Sequence, residues 1–343
     1  MTALNPREAG APTSGRGFSA RSERQGRILA LLAKRLVQIP LVLLVVSILT
    51  FWLIQVVPGN PGRTALGQYA TPSQVQAWDV SNGLTGSTLH RYLHWLGGFL
   101  TGNWGNSLVY SEPARGAVLG HLLNSMVLGA FAFVLLVPFS LVFGSIQSYK
   151  EGKRSDRLIT IVLMTLSAIP VFVIGLLLIL VFCVWVKIFP VQATATGNVF
   201  DRLHEIVLPA VALALSYLAV VTRMVRTGTL GAITAPYHRT AVLKGLPSGQ
   251  IVRRHVLRNA LVPTLSLLGI YLGALLAGNA VIETLFSYPG LGALLVDAAQ
   301  HKDVITLDDG VMVTGAVSLL ALLGADVCLI LIDPRIRFEN TQS

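Results

Sequence analysis

Charge is what this sequence has least of: 12% of its 343 residues are Asp, Glu, Lys or Arg, against about 25% in an average soluble domain. So few charges could not cover the surface of a soluble fold of this length, and 53% of the residues are hydrophobic. Cysteine is nearly absent. Cys183 and Cys328 each lie inside an apolar run without Cys-x-x-Cys or metal-ligand spacing. That excludes a disulfide framework and a zinc site and leaves both as small packing residues. Nucleotide chemistry is missing as well. There is no Gly-x-x-x-x-Gly-Lys-Ser/Thr loop, and the nearest approach, Gly10 through Gly15, is followed by Arg16 and Gly17, so no ATP site is encoded in this chain. The net charge of +10 does not indicate nucleic acid, because the basic residues stand in short blocks between apolar runs rather than in one patch interleaved with aromatics.

Long apolar runs are what the chain does have. A bilayer crossing takes about 20 residues, and six runs reach that length: Leu36 to Val57, Leu119 to Ser148, Leu158 to Val186, Ile206 to Thr227, Leu261 to Leu285 and Val311 to Ile332. The fold class is therefore an all-α polytopic membrane protein with about six transmembrane helices. Pro138 and Pro170 interrupt two of the spans as kinks, which membrane helices tolerate when neighbours re-satisfy the freed backbone. Residues 1–34, rich in Gly, Ser and Arg, read as a disordered basic tail. Residues 35–57 form a first helix too long for a cleaved signal, and 58–117 a loop with short amphipathic helices. Residues 118–333 make a five-helix core carrying a second polar loop at 228–258, and 334–343 a short tail.

Orientation follows from the basic residues, which are retained on the cytoplasmic side near helix ends. With the amino terminus inside, 20 of the 26 Lys and Arg fall in cytoplasmic segments, and the outer segments keep only Arg63, Arg91, Arg115, Lys187, Arg202 and Lys302. Both termini are thus expected in the cytoplasm.

Reactive groups are sparse. His90 and His94 have the spacing that puts two imidazoles on one helix face, but no Glu, Cys or third His stands near them, so with Tyr92 and Trp95 they read as part of an amphipathic interfacial helix rather than a metal site. His121 and His204, near span ends, receive no ligand role. Within the spans Asp326 and Glu283 are the two acidic candidates, each either a polar lining group or a partner in a helix-to-helix hydrogen bond. Gly269 and Gly273 make a Gly-x-x-x-Gly, with Gly278 and Ala280 beyond, which permits close approach of helices within or between subunits.

The inner segment Arg223 to Arg258 is more than a tether. Tyr237, Ala241 and Lys244 recur at helical spacing, Gly245 suits a terminator with positive φ, and Ile251 to Arg258 can restart a basic helix. A projecting pair of helices needs a receiving protein; a basic amphipathic helix lying on anionic lipid would read the same way. Periodicity leaves both open.

Here the residues resemble a known family. Tyr237-x-Arg239-Thr240-Ala241-x-x-Lys244-Gly245-Leu246, followed by Arg254-His255-x-Leu257-Arg258-Asn259-Ala260-Leu261-x-Pro263, is similar to the cytoplasmic loop of dipeptide and oligopeptide ABC importer permeases. It is their version of the Glu-Ala-Ala-x-x-x-Gly coupling motif, with Arg239 and Thr240 departing from it and Ala241 and Gly245 keeping it. Val57-Pro58-Gly59-Asn60-Pro61, Tyr92-Leu93-x-Trp95-Leu96, Gly102-x-x-Gly105-x-Ser107, Asn124-Ser125, Ser167-x-Ile169-Pro170, Glu283-Thr284-x-Phe286-x-x-Pro289-Gly290-Leu291-Gly292 and Asp333-Pro334-Arg335-Ile336-Arg337 resemble further segments of the same family. The long amino-terminal tail is outside its pattern.

The resemblance implies a type I ABC importer permease of the bacterial inner membrane, without an ATPase site of its own. Its partners would be a second homologous permease subunit, two ABC ATPase subunits that bind ATP and Mg²⁺, an extracytoplasmic substrate-binding protein and membrane lipid, but no nucleic acid. This chain would hold no cofactor and no metal. By analogy Tyr237, Arg239, Thr240, Ala241, Lys244, Gly245 and Leu246 would dock on an ATPase. Glu283, Pro289 and Gly290, within the outer-face segment Ser287 to Asp297, would help form the gate, and Asn124, Ser125 and Ser167 are candidates for the pathway lining. The cargo expected is a di- or oligopeptide; nickel chelates or other small solutes use the same architecture. A secondary transporter would be expected to carry internal repeats and midplane carboxylates, and a membrane enzyme a nucleophile or metal cluster.

Overall fold

A computed structural model of the chain describes residues 16–56, 59–67, 69–110, 112–251 and 257–332. The chain divides into two compact units, residues 1–41 and 42–343. In the first, the described residues form the opening part of helix α1 (Arg16–Val56). Residues 16–34, expected to be disordered, are thus helical; Leu, Ala, Arg, Glu and Gln dominate Arg21 to Leu32, and such side chains lose little rotamer freedom in a helix. The expected tails at 1–15 and 334–343 lie outside the described residues.

The named elements among the second unit's described residues are all helices, joined by loops with one isolated bridge between Asn106 and Pro113. The end of α1 turns Val45, Leu49, Trp52 and Leu53 outward, which is stable where lipid takes the place of water. Three short helices follow, α2 (Pro61–Leu66), α3 (Pro72–Ser81) and α4 (Thr88–Thr101), each opened by a side chain that accepts a first-turn N–H: Asn60 from Arg63, Thr71 from Gln74 and Ser87 from His90. Such caps satisfy donors that the helix itself leaves orphaned. The α4 helix does not merely lie at an interface. Tyr92 is buried, its Oη shares a 2.9 Å hydrogen bond with Ser47 Oγ, and its ring meets Phe51 edge-on at 5.4 Å.

The bundle is built on α5 (Ala114–Tyr149), α8 (Val199–Thr234), α11 (Leu257–Leu276) and α14 (Val304–Ile332). Small residues set its spacing. A Cβ on Gly129 would collide with the Leu275 carbonyl, so α5 and α11 touch backbone to backbone. Gly269 and Gly273 face Ala325 and Ser318 on α14, which makes the Gly-x-x-x-Gly an intrachain contact. At one end of the bundle Arg226 of α8 donates to Asp156 Oδ2 at 3.1 Å, and the same oxygen accepts from Gly152 N at 3.0 Å.

Two spans differ from expectation. The third divides into α6 (Arg154–Ala168) and α7 (Val171–Leu178), the latter continued by a π-helical stretch, Ile179–Trp185, and the pair is bent by 104°. Pro170 breaks rather than kinks it. Proline disfavours helical geometry in the residue before it, and Ile169 is extended at φ −87°, ψ 128°, whereas Pro138 sits inside an unbroken α5. Among the described residues five helices are long and apolar enough to cross a membrane, or six if the bent pair counts as one crossing. The fifth span ends in a turn: after α11, Gly278 takes φ +97°, and Asn279 caps a separate helix α12 (Ala280–Leu285), followed by α13 (Leu291–His301).

Candidate functional site

Helix α8 has 36 residues, about 54 Å at 1.5 Å per residue, far more than the ~30 Å of a hydrocarbon core. Its excess carries α9 (Pro236–Leu243) beyond the bundle. Pro236 opens α9 at a position where its missing N–H costs nothing. The helix closes through Lys244 N on Thr240 O at 3.1 Å, Gly245 N on Val242 O at 2.9 Å and Leu246 N on Ala241 O at 3.3 Å. Gly245 holds φ +69°, and a Cβ there would meet no atom within 4 Å. Its requirement is conformational, not spatial.

The face shared by Tyr237, Ala241 and Lys244 splits. Ala241 is buried with Ala232 and Ile251, backed by Tyr237, Leu246 and Ile233, so this side glues α9 to the end of α8. Arg239, Thr240 and Lys244 are exposed on the other side. Beside them stand two apolar residues that sequence reasoning passed over, Val242 at 52% and Leu243 at 79% exposure. The signal was there, in a pair of aliphatic side chains off the packed face of a short helix with a basic side. Of the restarting helix expected from Ile251 to Arg258, a short helix α10 (Ser248–Ile251) precedes residues 252–256, which lie outside the described residues.

A second constellation forms at the opposite end of α5, and it gathers five residues that the sequence singled out under two different roles. Glu283 on α12 is fully buried. Its Oε1 accepts from Ser125 Oγ of α5 at 2.7 Å and from Asn279 N at 3.2 Å, and its Oε2 accepts from Ala293 N of α13 at 3.0 Å. Ser125 Oγ in turn accepts from Leu291 N at 2.7 Å. Asn124 Nδ2 donates to Pro289 O at 2.8 Å, and Tyr288 Oη donates to Asn124 O at 2.8 Å. Burial first, then the neighbouring Glu283 charge, pushes the Tyr288 phenol up to about 12. Gly290 and Gly292 leave room for the carboxylate, since a Cβ on either would overlap Glu283.

This arrangement ties α5, α12 and α13 into one block. Ser125 and Glu283 therefore brace the end of the bundle instead of lining open space within this chain; Asn124 is half-buried. Ser167 stands apart, exposed, its Oγ donating to Met164 O within its own helix at 3.0 Å.

Ionisable groups in the spans number more than the two expected. The last helix begins at Val304, not Val311, so Asp308 and Asp309 lie inside it, and both are buried. Asp303 initiates that helix, accepting from Ser107 Oγ, Leu108 N, Thr306 N and Thr306 Oγ1. Asp309 Oδ1 accepts from Trp95 Nε1 of α4 at 2.9 Å.

Residues 137–338 match the family model described as binding-protein-dependent transport system inner membrane component, and residues 28–116 match the model for the N-terminal part of such membrane components. The chain belongs to this family. Among curated relatives of this permease component, the oligopeptide transport system permease protein AppB of Bacillus subtilis is 30% identical over 90% of this chain and 99% of its own length. The di/tripeptide transport system permease protein DppB of Pseudomonas aeruginosa is 31% identical over 86% and 95%. A probable peptide ABC transporter permease protein, y4tP of Sinorhizobium fredii, is 32% identical over 89% and 98%. Permeases of this kind lack an ATPase site of their own, and the family implies ATPase and substrate-binding partners. This permease is accordingly a multi-pass protein of the bacterial inner membrane.

Proposed function

We propose that this chain is one of two homologous permease subunits of an importer that carries di- or oligopeptides inward, delivered by an extracytoplasmic binding protein and driven by ATP and Mg²⁺ in two partner ATPases. The observation that carries the reading is α9: a helix held beyond the bundle by α8, with Arg239, Thr240, Val242, Leu243 and Lys244 exposed among the described residues. Aliphatic side chains exposed on a projecting basic helix are costly in water and suit a groove on a partner. In this reading α9 and both termini are cytoplasmic, in agreement with the distribution of Lys and Arg. The braced end with Glu283, Pro289 and Gly290 faces outward and receives the binding protein.

Transport then requires that ATPase closure favour one arrangement of the helices over another through contacts made at α9. The α5–α8 contact, with Ser148 Oγ donating to Arg226 O at 3.1 Å, gives a stiff path from that joint into the bundle. The peptide cargo rests on what the relatives are named for.

The test is purification of the tagged chain in mild detergent from cells expressing its native operon. Co-elution of an ATPase and a second permease, with ATP hydrolysis raised by peptide-loaded binding protein, is the expected result. Recovery of the chain without an ATPase overturns the mechanism; hydrolysis that responds to another cargo overturns the substrate. Gly245→Trp should leave membrane insertion intact and abolish uptake, and unchanged uptake would count against docking.

A further inference from the structure

Three carboxylates stand at the start of α14, and they differ in how they are satisfied. Asp303 is met by four donors, and Asp309 by the Trp95 indole on one oxygen only. Asp308 is 1% exposed, and neither of its oxygens has a hydrogen-bond partner among the described residues. Carboxylates taken out of water are ordinarily paired or hydrogen-bonded. A donor is wanted here.

A cavity lies beside the carboxylate. Asp308 is part of the wall of a cavity of about 850 Å³ between α14, the end of α1 and the loop helices, with Leu84, Arg91, Leu93, Thr101 and Trp104 around it. Arg91 supplies the opposite charge in the same cavity. One of its Nη atoms donates to Leu84 O at 2.9 Å, and its guanidinium lies 5.9 Å from the Phe51 ring centroid. That single bond leaves further N–H groups of the guanidinium able to donate. Among the described residues no group of three His, Cys, Asp or Glu is arranged for a metal ion, so the donor set sought is N–H rather than metal.

We propose that this cavity is a binding site for a zwitterion bearing a primary ammonium group, with the ammonium on Asp308 and the anionic group on Arg91. Binding at this site requires the buried carboxylate to rotate about its own side-chain bonds toward the cavity. A primary ammonium brings three N–H donors, whereas a quaternary ammonium brings none. The chemistry comes from two sources: an ethanolamine phospholipid headgroup, or a small soluble amine such as a free peptide. The lipid source stands independently of the proposed cargo, whereas the soluble source rests on the reading of this chain as a peptide permease.

The experiment uses the intact transporter complex in phosphatidylcholine nanodiscs, wild type and Asp308→Asn, titrated with O-phosphoethanolamine, glycylglycine and phosphocholine. In parallel, phospholipid retained by the complex purified from native membranes is quantified. Wild type should bind phosphoethanolamine or glycylglycine saturably, at least tenfold more tightly than phosphocholine, and Asp308→Asn should lose that preference while remaining folded. Ethanolamine lipid retained by wild type and lost from the variant assigns the lipid source, and glycylglycine binding without lipid retention the soluble one. Arg91→Gln should weaken both probes at least tenfold. No saturable binding in wild type, or equal binding by Asp308→Asn, overturns the proposal.

Discussion

Replacing Glu283 by Gln tests whether the braced end is held by charge or merely filled. The isostere keeps volume and shape, so packing is unchanged, but one carboxylate oxygen becomes an NH₂ group. If the remaining oxygen stays on Ser125 Oγ and Asn279 N, the new donor points at Ala293 N–H, 3.0 Å from the atom it replaces. The opposite flip sacrifices two bonds, so the first is preferred. One charge-assisted hydrogen bond is lost and one buried donor is left unmade, together roughly 2–4 kcal/mol. For a unit of this size that corresponds to a fall in the unfolding midpoint on the order of 10 °C. Thermal unfolding of the purified chain in one detergent reads the shift, and hydrogen exchange at the Ala293 amide should rise with it. Ser125→Ala, alone and combined with Glu283→Gln, completes a cycle whose coupling should exceed about 1 kcal/mol. A Glu283→Gln protein as stable as the wild type, or two additive effects, would refute the brace.

Other perturbations follow from the same geometry. Leu243→Asp changes an exposed side chain and should alter stability by less than about 0.5 kcal/mol, yet cut ATPase co-purification at least tenfold; retained association would remove α9 as the joint. Gly245→Ala should cost about 1–2 kcal/mol through its left-handed backbone, and Gly245→Asn less, measured by unfolding; equal costs would mean that φ is not what the position demands. Gly129→Ala should destabilise by about 1–3 kcal/mol through overpacking, because the new methyl meets the Leu275 backbone. A neutral result would mean that α5 and α11 are free to separate. The Tyr288 phenol, at about 12 when folded and about 10 when unfolded, contributes stability that is complete below pH 10 and lost as pH rises to 12. Tyr288→Phe should flatten that stretch of the pH profile of unfolding, and an unchanged slope would assign it elsewhere.

The membrane class and the helices were legible because both rest on local sequence properties, run length and hydropathy. What escaped the sequence depends on contacts between distant segments. Pro138 and Pro170 look alike in an apolar run, and only the extended Ile169 separates a continuous helix from a 104° bend. Asp308 and Asp309 made Val311 the apparent start of the last span, since acidic residues normally mark a helix's watery end. Asp303, in fact the initiating residue, lies further back, where its donors arrive in part from Ser107 and Leu108 far away in the chain. The loop around Tyr237 to Leu246 was readable as a motif, but not which of its residues point inward. Asn124, Ser125, Glu283 and Gly290 were each visible as unusual residues in apolar surroundings. Their assembly into one network needed the crossing of α5 by the turn after α11.

The glycines around Glu283 have a consequence for how this protein can change. A mutation at Gly290 or Gly292 that adds even a methyl group collides with the carboxylate or with the Ala280 backbone, while loss of the carboxylate strands a serine hydroxyl and two amides. Each single step away from the present arrangement therefore costs stability before any second step can compensate. Substitutions in this corner would have to arrive together, so a lineage that diversifies its cargo is steered toward the walls of the bundle and away from its braced end.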